Sequence, residues 1–329
     1  MIVVEESPES YYRERSARKG VFLREEGGWR LKYRKLFGIV VATVTPLTGD
    51  GRIHPEALNK LIHFLIDKGV HGLFPCGSIG EGVLLSTEER KKVAELTVKE
   101  ASPKVPVVIH TGSVNMQEAI ELTLHARDIG ADGAALVPPY YFTVDDQTIF
   151  QFYSRIAEKV PAFPLYIYNI PPNVKNAVSA KVVSQLQSKF PNIVGIKDSS
   201  MDFMNFIAFK QAVPEDFVVL MGNDAQIYAS LLMGAKGAVA ATSTAFPEPV
   251  VQIYESLKEG NRDKALKAQE VVIRMRAVLR SYTPIAAYKK ACEFRGIQAG
   301  PPRLPLRSLT PEEEKKLRGE LEGLGLLSV

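Results

Sequence analysis

Cysteine is nearly absent from this chain. Of its 329 residues only Cys76 and Cys292 are cysteines, far apart and in no Cys-x-x-Cys spacing. A disulfide framework is excluded, and a reducing cytoplasm is the expected compartment. Histidine is scarce as well, with five residues and no His-x-x-x-His spacing, so no metal centre is expected. No apolar run reaches the roughly 18 residues that a membrane helix requires. The N-terminus carries Glu5, Glu6 and Glu9 and no secretory apolar segment, which adds to the expectation of a soluble protein. An excess of one charge is missing too: 41 basic residues face 37 acidic ones, for a net charge of +4. No basic cluster is interleaved with aromatics, so neither nucleic acid nor a membrane surface is an expected partner.

What the chain does have is a rhythm. With 46% hydrophobic residues it can bury a large core. From residue 38, β-branched apolar runs recur at 38–45, 71–76, 106–111, 131–138, 164–169, 193–197, 217–222 and 237–242. Helical signals lie between them. Pro55-Glu56 opens one segment, Ser86-Thr87-Glu88-Glu89 is a capping sequence, and Asp145 precedes another. Leu58, Leu61, Ile62, Leu65 and Ile66 keep a helical period. Gly69, Gly130 and Gly234 stand where helices should stop. Alternation at this spacing implies parallel strands joined by crossover helices. Eight units close a (β/α)8 barrel, and an open doubly wound sheet is the alternative. The dinucleotide fingerprint of many such open sheets is missing, since Thr43-Val44-Thr45-Pro46 follows the first run.

The expected organisation is a (β/α)8 TIM barrel over 37–260, with an N-terminal arm over 1–36 and a C-terminal helical region over 261–329. The arm is dense in charge and carries Tyr11, Tyr12, Phe22, Trp29 and Tyr33. It reads as a docking segment or a tail. Helices are expected near 247–259, 262–281 and 284–295. Thr310-Pro311-Glu312-Glu313 then opens a last helix, as a small appendage with a frayed end from Gly319.

Chemistry in a barrel sits where the strands end. Those ends offer Thr43 and Thr45, the turn Gly77-Ser78-Ile79-Gly80-Glu81-Gly82, His110, Tyr140 and Tyr141, Tyr168-Asn169, Lys197-Asp198, Gly222-Asn223-Asp224, and Ala240 to Ser243. Lys197 ends the apolar run Ile193-Val194-Gly195-Ile196. An ammonium at that place is poorly solvated, which favours the neutral amine, a nucleophile for carbonyl carbon. The plainer reading is a strand-end lysine that snorkels to water. The Gly-rich turn offers backbone N–H groups to a carboxylate or phosphate. Tyr168, one strand from Lys197, could move a proton; the plainer reading is a core tyrosine. His110 reads as a satisfied barrel histidine and Cys76 as a small buried hydrophobe. A lysine, a tyrosine and an anion-binding turn together suit Schiff-base chemistry on a 2-oxo acid, with the iminium as electron sink and no metal.

Over about 37–310 the chain resembles the dihydrodipicolinate synthase and N-acetylneuraminate lyase family of pyruvate-dependent class I aldolases. The matching motifs are Gly77-Ser78-Ile79-Gly80-Glu81, Pro139-Tyr140-Tyr141, Tyr168-Asn169-Ile170-Pro171, Gly195-Ile196-Lys197-Asp198, Gly222-Asn223-Asp224 and Gly300-Pro301-Pro302-Arg303. The resemblance implies Lys197 as the imine-forming residue, Tyr168 as acid/base, and Ser78 as the hydroxyl beside it. It implies Tyr141 as a residue that reaches a partner subunit's site in a homotetramer. Gly77, Ser78, Ile79, Thr43, Gly222 and Ala240 are the expected substrate contacts, and pyruvate and an aldehyde the expected substrates, with no cofactor.

Two positions depart from the pattern. Ile79 replaces a second hydroxyl in the turn. Asn173 stands five residues after Tyr168, where the synthase has an arginine for its second substrate. Gly237 to Ser243 with Phe246-Pro247-Glu248, and Pro138 to Phe142, are similar to archaeal-type 2-keto-3-deoxygluconate aldolases. The leading expectation is therefore aldol cleavage of a 2-keto-3-deoxy sugar acid. Condensation of pyruvate with aspartate semialdehyde comes next. A 2-oxo-acid dehydratase or deaminase, a non-catalytic 2-oxo-acid binder, and a phosphate-binding barrel using Gly222-Asn223 and Thr242-Ser243 stand behind these.

Overall fold

Eight parallel strands carry the molecule. In a computed structural model, residues 22–25, 28–31, 33–102 and 104–327 are described, with side chains from residue 33. Before the barrel, a short antiparallel pair is described, β1 (Phe22–Glu25) against β2 (Gly28–Leu31). Expectations for residues 1–21, and for the side chains of Phe22 and Trp29, fall outside the described residues. The barrel strands are β3 (Gly38–Ala42), β4 (Gly72–Phe74), β5 (Val108–His110), β6 (Gly133–Leu136), β7 (Leu165–Asn169), β8 (Ile193–Asp198), β9 (Val218–Met221) and β10 (Gly237–Ala240). Their order is β4-β3-β10-β9-β8-β7-β6-β5, with β3 beside β10. The ring closes between its two ends, where Leu73 bridges Val107 and the Leu73 N–H donates to Pro106 O at 2.9 Å. An open doubly wound sheet has no such closing contact. The fold is a (β/α)8 barrel.

Most strands are shorter than their apolar runs, because ladder pairing stops before the hydrophobic residues do. The exception is β8, which extends to Asp198 by pairing with Asn169 and Met221. Inside the ring, Val40, Ala42, Phe74, Val108, Ala135, Val137, Tyr166, Val218, Leu220 and Val239 fill the barrel. Outside it, a larger apolar layer joins strands to helices. Local signals set the helix ends. Ser86 and Thr310 each form a capping box with a glutamate three residues on, and Asp145 caps through Thr148 N. Gly69, Gly130 and Gly234 take positive φ after their helices.

Two expectations at the chain's ends change. Residues 33–36 belong to the floor of the barrel. Tyr33 packs edge-on to Phe163 at 5.4 Å, Arg34 pairs with Asp132 at 2.8 Å, and the Leu36 N–H donates to Tyr166 OH at 3.0 Å. At the other end the last helix runs to Gly323 with Leu317 and Leu321 fully buried, and Leu324, Leu326 and Leu327 pack on the core. Apolar spacing on that helix anchors an end that composition alone marks as frayed. The C-terminal helices are also more than an appendage. Gln269, on the helix Arg262–Arg280, accepts from Tyr228 N at 2.7 Å and donates to Asp224 O at 2.9 Å, holding the loop after β9. Among the described residues no helix is long and apolar enough to cross a membrane.

Candidate active site

Parallel register places the two key side chains side by side. Tyr168 on β7 is the ladder partner of Lys197 on β8. Both alternate inward, and both are buried, at 3% and 4% exposure. Lys197 Nζ lies 3.9 Å from the centroid of the Tyr168 ring and 4.4 Å from that of Phe74. Those contacts lie well inside the ~6 Å reach of a cation–π interaction. Among the described residues no carboxylate forms a salt bridge with Lys197. The snorkelling alternative fails, since the amine ends in an aromatic slot instead of in water. Phe74 is missing from the sequence-based set; the inward alternation of β4 is the signal that could have found it.

Ser78 lies next to this pair. Its Oγ lies 3.4 Å from Tyr168 OH, with either atom able to donate. That is long for a hydroxyl pair. The turn that carries Ser78 is tightly folded. Gly82 N–H donates to Gly77 O at 3.1 Å and Glu81 N–H to Ser78 O at 3.2 Å. Thr45 Oγ1 donates to Gly80 O at 2.7 Å. A Cβ at Gly82 would stand 1.9 Å from Cys76 O, so only glycine fits there. Among the described residues, the N–H groups of Ser78 and Ile79 have no acceptor within the chain, which leaves two donors free for an anion.

Around this centre the second layer is polar and buried. His110 Nδ1 faces Cys76 O at 3.0 Å, and Nε2 is buried with no partner. The expected satisfied histidine is thus only half satisfied. A carbonyl only accepts, so Nδ1 carries the proton and Nε2 is a bare acceptor. Burial, then the charges of Arg90 and Lys197, holds the imidazole well below its ordinary range. Arg90 is 3% exposed and donates to His110 O at 2.8 Å. Burial pushes the carboxyl of Asp198 up, against hydrogen bonds from Asn169 (2.8 Å) and the Ser200 hydroxyl (3.0 Å). Cys76 is fully buried, and burial raises its thiol to about 11.

The remaining expected residues divide. Gly77 and Ile79 sit in the turn. Thr43 is buried at the end of β3, and Gly222 at the end of β9 donates its N–H to Asp198 O at 2.7 Å. Ala240 does not join the inward set. It packs in the outer apolar layer, because its neighbour Val239 takes the inward position on β10. Tyr141 is 77% exposed at φ +79°, and its ring lies edge-on to Phe142 at 5.1 Å. Within one chain it is not part of the slot. Among the described residues no cluster of three or more His, Cys, Asp or Glu side chains is placed to hold a metal ion.

A slot with lysine, tyrosine and serine at three strand ends matches a known family by sequence as well. The family model described as "Dihydrodipicolinate synthetase family" covers residues 35–323. The chain belongs to this family. Its members are pyruvate-dependent class I lyases, and this protein is a lyase of that family. A 4-hydroxy-tetrahydrodipicolinate synthase of Methanopyrus kandleri is 34% identical over 88% of this chain and 97% of that protein. Among solved structures, YagE of E. coli K12, a prophage protein of the dihydrodipicolinic acid synthase family in complex with pyruvate, superposes with a TM-score of 0.85 at 30% identity. That match covers 88% of this chain and 99% of YagE. Dihydrodipicolinate synthase from Aquifex aeolicus gives a TM-score of 0.84 at 33% identity, with coverages of 88% and 99%.

Proposed function

We propose that this family lyase condenses pyruvate with an aldehyde through an imine on Lys197. The Tyr168–Lys197 pair in its aromatic slot carries this reading. Lys197 Nζ adds to the keto carbon of pyruvate and water leaves. A proton then leaves the methyl carbon and gives the enamine. The enamine carbon bonds to the aldehyde carbon, whose oxygen takes a proton. Water then adds to the imine carbon, and the product leaves as a 2-oxo acid, which returns Lys197 as the free amine. Tyr168 moves the protons, with Ser78 as its relay, and the free N–H groups of Ser78 and Ile79 hold the pyruvate carboxylate.

For the aldehyde, the similarity to 4-hydroxy-tetrahydrodipicolinate synthases supports the synthase reaction, with aspartate semialdehyde as the second substrate. This displaces sugar-acid cleavage as the first reading. One observation keeps cleavage as the second. Asn173 is an exposed amide on the short helix Pro171–Val174, where the synthase pattern has a cationic side chain for its second substrate. The exposed Tyr141–Phe142 pair supports a homotetramer in which Tyr141 meets a partner subunit's site.

The test has two stages. Borohydride with pyruvate is expected to leave a reduced pyruvyl adduct on Lys197; absence of the adduct on folded protein overturns the imine reading. Assays with aspartate semialdehyde and with 2-keto-3-deoxygluconate then decide between the two substrates by their kcat/KM ratio.

A further inference from the structure

The Gly-rich turn is braced from the far end of the chain. Glu81 is 2% exposed. Its Oε2 lies 2.6 Å from Lys289 Nζ, and its Oε1 accepts the Arg303 N–H at 2.5 Å. Lys289 also donates to Pro301 O at 2.8 Å, and the Arg303 guanidinium pairs with Glu89 on the neighbouring helix at 2.5 Å. The segment is seated on the strand ends by Gly300. Its φ is +67°, a Cβ there would stand 1.9 Å from Leu47 O, and the Leu47 N–H donates to Ala299 O at 3.0 Å.

We propose that Lys289, acting through Glu81, is a positioning residue for the Ser78–Tyr168 hydrogen bond; this rests on the imine reading above. The route is short. Glu81 holds the carbonyl of Ser78 through its own N–H (3.2 Å), and Ser78 Oγ meets Tyr168 OH (3.4 Å). Glu81 sits at φ +57°, a conformation that a side-chain-bearing residue keeps only where its surroundings over-determine it. The Lys289 pair does so. Stability does not account for the pair, because desolvating two charges offsets much of their attraction.

The test needs pyruvate alone. In D2O the imine loses a methyl proton to give the enamine and regains a deuteron, so exchange at the pyruvate methyl, followed by NMR, reports the step without any aldehyde. Lys289→Met is expected to slow exchange by about 10²-fold, the scale of a small misplacement at a reacting centre. The borohydride adduct on Lys197 should still form, and Lys289→Arg should restore most of the rate. Glu81→Leu/Lys289→Met leaves no unpaired charge, so it should fold and exchange as slowly as the single variant. Wild-type exchange in either folded methionine variant overturns the positioning role, as does failure of the apolar pair to fold. A wild-type protein that neither traps nor exchanges pyruvate overturns the imine reading, and this role with it.

Discussion

His110 meets Tyr168 edge-on, with ring centroids 5.7 Å apart and planes at 90°. This neutral imidazole has a consequence for acid stability. Its pKa is held well below 6.5 in the folded protein, by burial first and then by Arg90 and Lys197. In the unfolded chain it binds a proton near its ordinary value. The unfolded state therefore takes up more protons as pH falls through that window, and the native state loses stability. His110→Phe should flatten the fall of melting temperature between about pH 7 and 5. An unchanged slope would remove His110 as a source of acid sensitivity.

Lys197→Ala should abolish the pyruvate adduct while leaving the melting transition cooperative. Tyr168→Phe keeps the ring that faces Lys197 and removes only the hydroxyl. It should form the adduct yet turn over about 10²-fold more slowly. Turnover at the wild-type rate in that variant would take Tyr168 out of the proton relay.

Ile79→Thr restores a hydroxyl beside the free N–H groups of the turn. Hydrogen bonds to a charged group contribute roughly 1.5–3 kcal/mol, so pyruvate should bind about tenfold tighter or better. Titration calorimetry with pyruvate reads the change. Equal affinity would mean that the two N–H groups already saturate the carboxylate.

Asn173→Arg supplies the cation that the synthase pattern places on Pro171–Val174. It should raise kcat/KM for aspartate semialdehyde about tenfold or more and leave pyruvate exchange untouched. No gain would mean that another group reads the second substrate.

Both thiols should be silent in the native state. Cys76 and Cys292 are fully buried, with burial raising their thiols to about 11 and about 12. A colorimetric thiol reagent should count none in buffer and two in denaturant. A native count above zero would show that the closed packing around them opens.

Much of the barrel was legible because each strand and helix carries its own local signal. The run ending in Lys197, the caps at Ser86 and Thr310, and the stops at Gly69 and Gly130 need no knowledge of the rest of the chain. That Lys197, Tyr168 and Ser78 meet at one end of the barrel is legible for the same reason, since all three stand at strand ends. What escaped depends on long-range geometry. The alternation of β10 turns Ala240 outward, which strand ends alone do not reveal. Phe74 becomes a wall of the site only because the sheet closes into a ring, which turns β4 toward Lys197 on β8. The partners of Glu81 lie beyond residue 288, and charged residues in a helical tail read as solvent-facing. His110 looked satisfied because sequence cannot tell which ring nitrogen finds an acceptor.

The contact between Glu81 and Arg303 spans 222 residues. During synthesis the turn, Tyr168 and Lys197 all leave the ribosome long before Lys289 and Arg303 exist. For that interval the Glu81 carboxylate lies without its two partners, and the turn it shapes is free to relax. Order of synthesis therefore matters: Lys197 is made early, but the Gly-rich turn near it takes its final form only after the segment from Lys289 to Arg303 has followed.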